Sequence, residues 1–157
     1  MGHSPHPILI VFPLGLLGGA TIFEILYYVL HRQEFALVTF WLIIGGLAGG
    51  ALAAPFGWID WFAIPSGTRA KRVGLAHGLT FVSVLVLFAL SGYLRWSNGI
   101  APTYLASGSI FLGFVLALAG GWLGGELVER LGISVHEGAD PDAPSSLSVD
   151  PPILRPH

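Results

Sequence analysis

Two histidines and an aspartate are the residues whose types and spacing first suggest chemistry in this chain. His6 precedes one long apolar stretch, Asp60 ends a second, and His77 lies near the start of a third. Paired imidazoles ligate haem iron, and imidazoles with a carboxylate are a common ligand set for other metals. His6 and His77 are therefore candidate ligands of haem b, and His6, His77 and Asp60 are candidate ligands of a non-haem metal.

Both histidines also have a purely structural interpretation. His6, just before Pro7, would be a cap at the membrane interface, and His77 would be a hydrogen-bonded core residue. His77 follows the predicted helix cap Thr68 by about nine residues, which places it ~13 Å deeper than the helix start. A site shared by the two histidines therefore requires the first helix to lie deeper in the membrane. Cofactor binding and a structural role both stay open.

Charged side chains near the ends of the apolar stretches can neutralise one another, because an unpaired charge in lipid is costly. We expect three sets of ion pairs, which together form a polar network: Glu126 with Arg130, Asp60 with Arg69 or Arg72, and Glu24 with Arg95.

The composition indicates which class of protein positions these residues. The chain has 157 residues, 54% of them hydrophobic and 10% charged, with a mean hydropathy of +0.74, and this balance is typical of membrane proteins. Lys and Arg number 7 against 9 acids, which provides no basic surface for nucleic acid. Cysteine is absent, so disulfides, thiolate catalysis and cysteine-held iron–sulfur clusters are excluded.

Four apolar stretches are long enough to cross a bilayer, at residues 7–30, 35–59, 73–94 and 100–125. Their short connections predict an all-α, integral membrane, antiparallel four-helix bundle. We define side A as the membrane side where the first stretch begins and side B as the other. Basic residues favour side A by four (Arg69, Lys71, Arg72, Arg130) to two (Arg32, Arg95), which predicts a multi-pass protein of the bacterial inner membrane with both termini in the cytoplasm.

The end of the chain differs from the rest. Residues 134–157 are rich in Pro, Ser and Asp and have too few apolar side chains to form a core. The sequence therefore predicts a transmembrane domain over residues 1–133 and an extramembrane tail over residues 134–157.

Glycines recur at four-residue spacing inside the apolar stretches, an arrangement that lets membrane helices approach closely. The predicted packing pairs are Gly15 with Gly19, Gly45 with Gly49, and Gly120 with Gly124. We expect them to let the second and fourth helices approach closely inside the bundle. The fourth helix would also carry a shallow groove that accepts another helix or a porphyrin.

Three ordered motifs carry a family resemblance: "HPILIVFPLGLLGG", "FWLIIGGLAGGALAAPFGWIDWFAIPSGTRAKRVGLAHG" and "GGWLGGELVERLGISV". With them the chain resembles the bacterial membrane-protein family catalogued as domain of unknown function 2231. The resemblance implies a four-helix membrane unit, with histidines at the positions of His6 and His77 and an acid at that of Asp60. Glu24 stands where the family often has aspartate. Relatives are sometimes fused or adjacent to Rieske-type iron–sulfur domains, which implies electron-transfer surroundings.

Motifs for catalysis are missing, since the sequence has no phosphate loop, zinc-protease pair or serine elbow. We therefore expect a non-catalytic accessory or structural subunit of a larger respiratory or photosynthetic electron-transport complex, surrounded by lipid and other membrane subunits. Homo-oligomers stay open. The alternative is a b-type haem electron carrier with His6 and His77 as ligands.

Overall fold

The computed structural model describes residues 5–135 and 139–143, and these contain helices, turns and no strand. The first span consists of α1 (Pro5–Leu9) and α2 (Val11–Leu30). The others are α3 (Gln33–Ala63), α4 (Arg69–Ser97) and α5 (Tyr104–Gly125), and α5 continues into a π-helical turn over Glu126–Arg130. The tail predicted over residues 134–157 lies largely outside the described residues.

Four helical segments are long and apolar enough to cross a membrane, which confirms the predicted all-helical fold with four spans. The helices are longer than most of the apolar stretches, because polar residues at their ends remain helical. α3 runs to Ala63 and α4 begins at Arg69, where the predicted cap Thr68 accepts a hydrogen bond from Lys71 N at 3.1 Å. These extensions decide the depth of the histidines.

Lys71 fixes the short connection between α3 and α4 on side A. Its Nζ donates to the Trp61 carbonyl oxygen at 2.7 Å and lies 4.0 Å from the centre of the Trp61 ring. The indole Nε1 in turn donates to the Lys71 carbonyl oxygen at 3.1 Å. This reciprocal contact sets the relative height of the two helices.

The bundle consists of two helical hairpins. α2 packs closely along α3, and α4 packs closely along α5, whereas contacts between the hairpins are fewer and run mainly between α3 and α4. The shared apolar core is formed by one buried set of side chains: Leu17, Ala20, Ile43, Val84, Phe88 and Ile110. Association of the hairpins therefore depends on a narrow contact.

Glycines on α3 form notches that receive side chains of the first span. A Cβ added at Gly45 would lie 3.2 Å from Leu16 Cδ1, and one at Gly49 would lie 3.2 Å from Pro13 Cδ. Gly19 has a looser contact, 3.5 Å from Leu42. The second helix thus approaches the first.

The groove predicted on α5 is filled by rings of α4. A Cβ at Gly113 would lie 2.8 Å from Phe88, one at Gly120 would lie 2.7 Å from Phe81, and one at Gly124 would lie 3.1 Å from His77. The predicted packing glycines of the second and fourth helices thus receive side chains of their hairpin neighbours, whereas Gly50 on α3 receives Leu85 of α4. The groove has no room for a porphyrin.

Gly15 departs from the predicted packing pairs. A Cβ at this position would meet nothing within 4 Å, and the same holds for Gly18, Gly121 and Gly125. The spacing of Gly15 and Gly19 suggested one packing face, but only Gly19 contacts α3. Open glycines therefore remain on the outer surface of α2 and α5.

Large apolar side chains cover the outside of the helices. Trp96 is 73% exposed and Phe12 is 70% exposed, and aliphatic side chains are also exposed along every span. Such a surface matches the apolarity of lipid, where no penalty arises from exposure of hydrocarbon. The composition and the surface agree on a membrane environment.

Candidate functional site

A buried polar layer crosses the side B end of the bundle. Glu24 on α2 forms an ion pair with Arg95 on α4, through Oε2 and Nη2. Both side chains are 0% exposed. The structure thus brings together the predicted pair, and it places the two charges inside the bundle rather than at its surface.

Ser107 on α5 completes the coordination of the Glu24 carboxylate. Its Oγ donates to Glu24 Oε1 at 2.6 Å and lies 2.8 Å from the Tyr28 hydroxyl. Since the Ser107 hydrogen is directed to Glu24, Tyr28 is the donor in that second bond. A directed hydrogen-bond chain therefore runs from the half-exposed Tyr28 inward to the ion pair.

Local sequence explains why these groups meet. Glu24 and Tyr28 are four residues apart on α2, and Ser91 and Arg95 are four apart on α4, so each pair occupies one helix face. Arg95 Nε lies 3.5 Å from Ser91 Oγ. Ser107 was not predicted from the sequence, since a lone serine in an apolar helix gives no distinctive signal.

On side A, each histidine is anchored within its own hairpin. His6 Nδ1 donates to the Ala53 carbonyl oxygen at 3.3 Å, and His77 Nδ1 donates to the Gly120 carbonyl oxygen at 3.0 Å. Neither ring lies free at the surface, for both are partly buried. The Cε1 atom of His6 packs at Gly57, 2.9 Å from the position of an added Cβ.

The two histidines lie at nearly the same depth. Trp61 on α3 packs against Gly74 on α4. Gly57, which contacts the His6 ring, lies four residues from Trp61, a rise of ~6 Å along α3. His77 lies three residues from Gly74, a rise of ~4.5 Å along α4. Both histidines therefore lie deeper in the membrane than the contact between Trp61 and Gly74. The expected difference of depth disappears because α3 and α4 extend beyond the start of α1.

The anchoring determines the chemistry available to each ring. A carbonyl oxygen only accepts hydrogen bonds, so Nδ1 must carry the hydrogen and Nε2 carries the lone pair in the neutral imidazole. Metal-binding histidines commonly use one nitrogen for the metal and donate from the other to a carbonyl oxygen. In their neutral forms, His6 and His77 therefore carry the hydrogen on Nδ1 and leave Nε2 as the nitrogen that could bind a metal.

The three-residue metal set is not assembled. Among the residues that the structure describes, no group of three or more His, Asp or Glu side chains is placed to hold a metal ion. Asp60 lies half-buried in the last turn of α3. The structure therefore does not unite it with His6 and His77 as a ligand set.

Charged residues near the end of α5 form one predicted pair and one further pair. Arg69, which the sequence offered together with Arg72 as a partner of Asp60, binds Glu126 Oε1 through Nη2 at 2.6 Å. Arg130 Nε lies 3.7 Å from Glu126 Oε2, as its spacing suggested. Glu126 therefore joins α4 to the π-helical turn, and Arg72 is exposed on the first turn of α4.

The fold defines an all-helical protein with four helices long and apolar enough to cross a membrane. The chain belongs to the family described as a predicted membrane protein, domain of unknown function 2231, whose model matches residues 2–137. The resemblance inferred from the motifs is thereby confirmed. No curated protein and no solved structure gives a significant match.

Proposed function

We propose that this protein is a non-catalytic membrane subunit that associates with other membrane subunits. The observation that carries the proposal is the open glycine surface. Gly121 and Gly125 on α5 are four residues apart, and an added Cβ at either would meet nothing within 4 Å. Small residues at this spacing permit close helix contact in lipid, where packing rather than the hydrophobic effect drives association.

The larger assembly that we propose is a respiratory or photosynthetic electron-transport complex. Support comes from the association of the family with Rieske-type domains. We further place the protein in the bacterial inner membrane with both termini in the cytoplasm. Arg95 is buried inside the bundle, which leaves Arg32 as the exposed basic residue that the described part of the chain places on side B. The bias of basic residues toward side A is therefore stronger than the sequence count.

Native extraction of the full chain from its own membranes tests association. Gly121→Leu should abolish co-migration with a larger assembly on native electrophoresis, while leaving the isolated protein folded, because the added side chain meets no internal neighbour. Gly108→Leu is the matched control, since Gly108 is also open and lies on the same helix, rotated by ~140°. Recovery of the unmodified chain only as a dispersed monomer contradicts the proposal.

A second candidate is a haem-binding electron carrier, favoured by the matched depth and Nδ1 anchoring of His6 and His77. These two residues would hold the iron through Nε2, and haem would supply one-electron transfer. Because rings of α4 fill the α5 groove, the macrocycle would have to lie outside it.

An absorption spectrum decides between the two candidates. If the second holds, protein purified from haem-supplied cells shows a Soret band that His6→Leu and His77→Leu each remove or shift. His31→Asn is the control, because His31 is exposed at the end of α2 in a left-handed conformation (φ 52°) that asparagine tolerates. Absence of a Soret band in the unmodified protein refutes haem binding.

A further inference from the structure

The side B polar layer contains two buried polar atoms that the described residues leave without a hydrogen-bond partner: Arg95 Nη1 and Thr39 Oγ1. Both residues are 0% exposed. An unpaired buried donor carries the full cost of its lost hydration, so two of them in one bundle call for an explanation.

The two atoms belong to the same level of the bundle. Phe40, the neighbour of Thr39, stacks on Trp96, the neighbour of Arg95, with ring centroids 6.3 Å apart. One turn deeper, a Cβ added at Gly92 would lie 3.2 Å from Ile43 Cγ2. Thr39 and Ile43 share the buried face of α3, just as Arg95 shares that of α4 with Phe88. The unpaired atoms thus face a common interior layer.

Thr39 also differs from other hydroxyl residues in these helices. Thr21 donates to the Leu17 carbonyl oxygen at 3.1 Å, and Ser109 donates to the Leu105 carbonyl oxygen at 2.8 Å. Such bonds to the preceding turn normally satisfy a hydroxyl group in a membrane helix. Thr39 keeps its hydroxyl available to an occupant of the layer.

The charges already present in the layer restrict which molecule can bind there. Arg95 Nη1 presents two N–H donors, so the occupant must accept a hydrogen bond. Glu24 already neutralises Arg95, and an added anion would leave an unfavourable net negative charge buried in the membrane. A neutral molecule that both accepts and donates fits the layer best.

We propose that Arg95 and Thr39 bind an internal water molecule between them. The water accepts from Arg95 Nη1 and exchanges a hydrogen bond with Thr39 Oγ1, and buried water typically makes about three such bonds. It extends the chain that begins at Tyr28 and Ser107 through the ion pair to α3. All four spans then contribute to one hydrated polar layer.

Solid-state NMR of the full chain in bilayers tests this site. With ¹⁵N-labelled arginine, magnetisation transferred from water should reach the Arg95 guanidinium, whose signal is identified by its loss in Arg95→Lys. Thr39→Val should remove most of that transfer, whereas Thr39→Ser should retain it. Thr80→Val is the control, because the Thr80 hydroxyl bonds the Ala76 carbonyl oxygen at 2.8 Å, outside this layer.

Two results would overturn the proposal. One is water transfer to Arg95 no greater than to the backbone of the buried Phe88 in the unmodified protein, a measurement that does not depend on any Thr39 variant folding. The other is a shift of the Arg95 signals on replacing chloride by nitrate, which would assign the site to an anion.

Discussion

The buried ion pair should be destabilising to break but inexpensive to replace. Glu24 and Arg95 are both 0% exposed, so Arg95→Met leaves a carboxylate with Ser107 as its remaining described donor, and Glu24→Met leaves a buried guanidinium. Loss of one partner of such a pair typically costs about 3–5 kcal/mol. Because Ser107 still binds the carboxylate at 2.6 Å, we expect about 3 kcal/mol for Arg95→Met, on the order of a 100-fold change in the unfolding equilibrium.

The double variant Glu24→Met/Arg95→Met removes both charges and supplies similar volume. Its free energy of unfolding should be less than about 1 kcal/mol below that of the unmodified protein, or above it, since neither desolvated charge remains. Reversible unfolding in mixed detergent micelles, followed by circular dichroism, measures all three variants. Additive losses, with the double variant as unstable as the sum of the single ones, would refute the conclusion that the two side chains form one neutral buried unit.

Adjacent glycines on α5 should respond in opposite directions in the same unfolding assay. Gly120→Ala places its Cβ 2.7 Å from Phe81 and should lower the free energy of unfolding by about 1–3 kcal/mol. Gly121→Ala enters open space and should be neutral or stabilising by up to about 1 kcal/mol, through helix propensity. Equal effects of the two substitutions would contradict the packing described. At the start of α4, Thr68→Ala should cost about 1 kcal/mol by removing the cap of Lys71 N, and Thr68→Ser should recover most of it. If Thr68→Ser is as unstable as Thr68→Ala, the cap is not the cause.

Apolar length predicted the four spans because lipid imposes one simple requirement, a run of apolar residues that satisfies its backbone internally. Partner choice was harder to predict. Arg69 or Arg72 was expected to pair with Asp60, because all three lie on the same membrane side, and Glu126 was expected to pair with Arg130. The pair between Arg69 and Glu126 was not predicted, because it depends on how α4 packs against α5.

The histidines show a second limit of sequence reasoning. Counting from Thr68 placed His77 deeper than His6, because a count along one helix contains no information about where another begins. The Trp61–Gly74 contact supplies that information and brings the two rings level. Likewise, Thr39 is one more hydroxyl in an apolar helix until its burial without a described partner is seen.

The two polar layers differ in how they join the hairpins. On side A, His6 bonds α3 and His77 bonds α5, so each histidine is anchored within its own hairpin. On side B, Glu24 of the first hairpin binds Arg95 and Ser107 of the second. On side A the hairpins are also joined, by the reciprocal hydrogen bonds between Trp61 of α3 and Lys71 of α4. The ion pair on side B and the Lys71–Trp61 contact on side A therefore connect the two hairpins at opposite ends of the bundle.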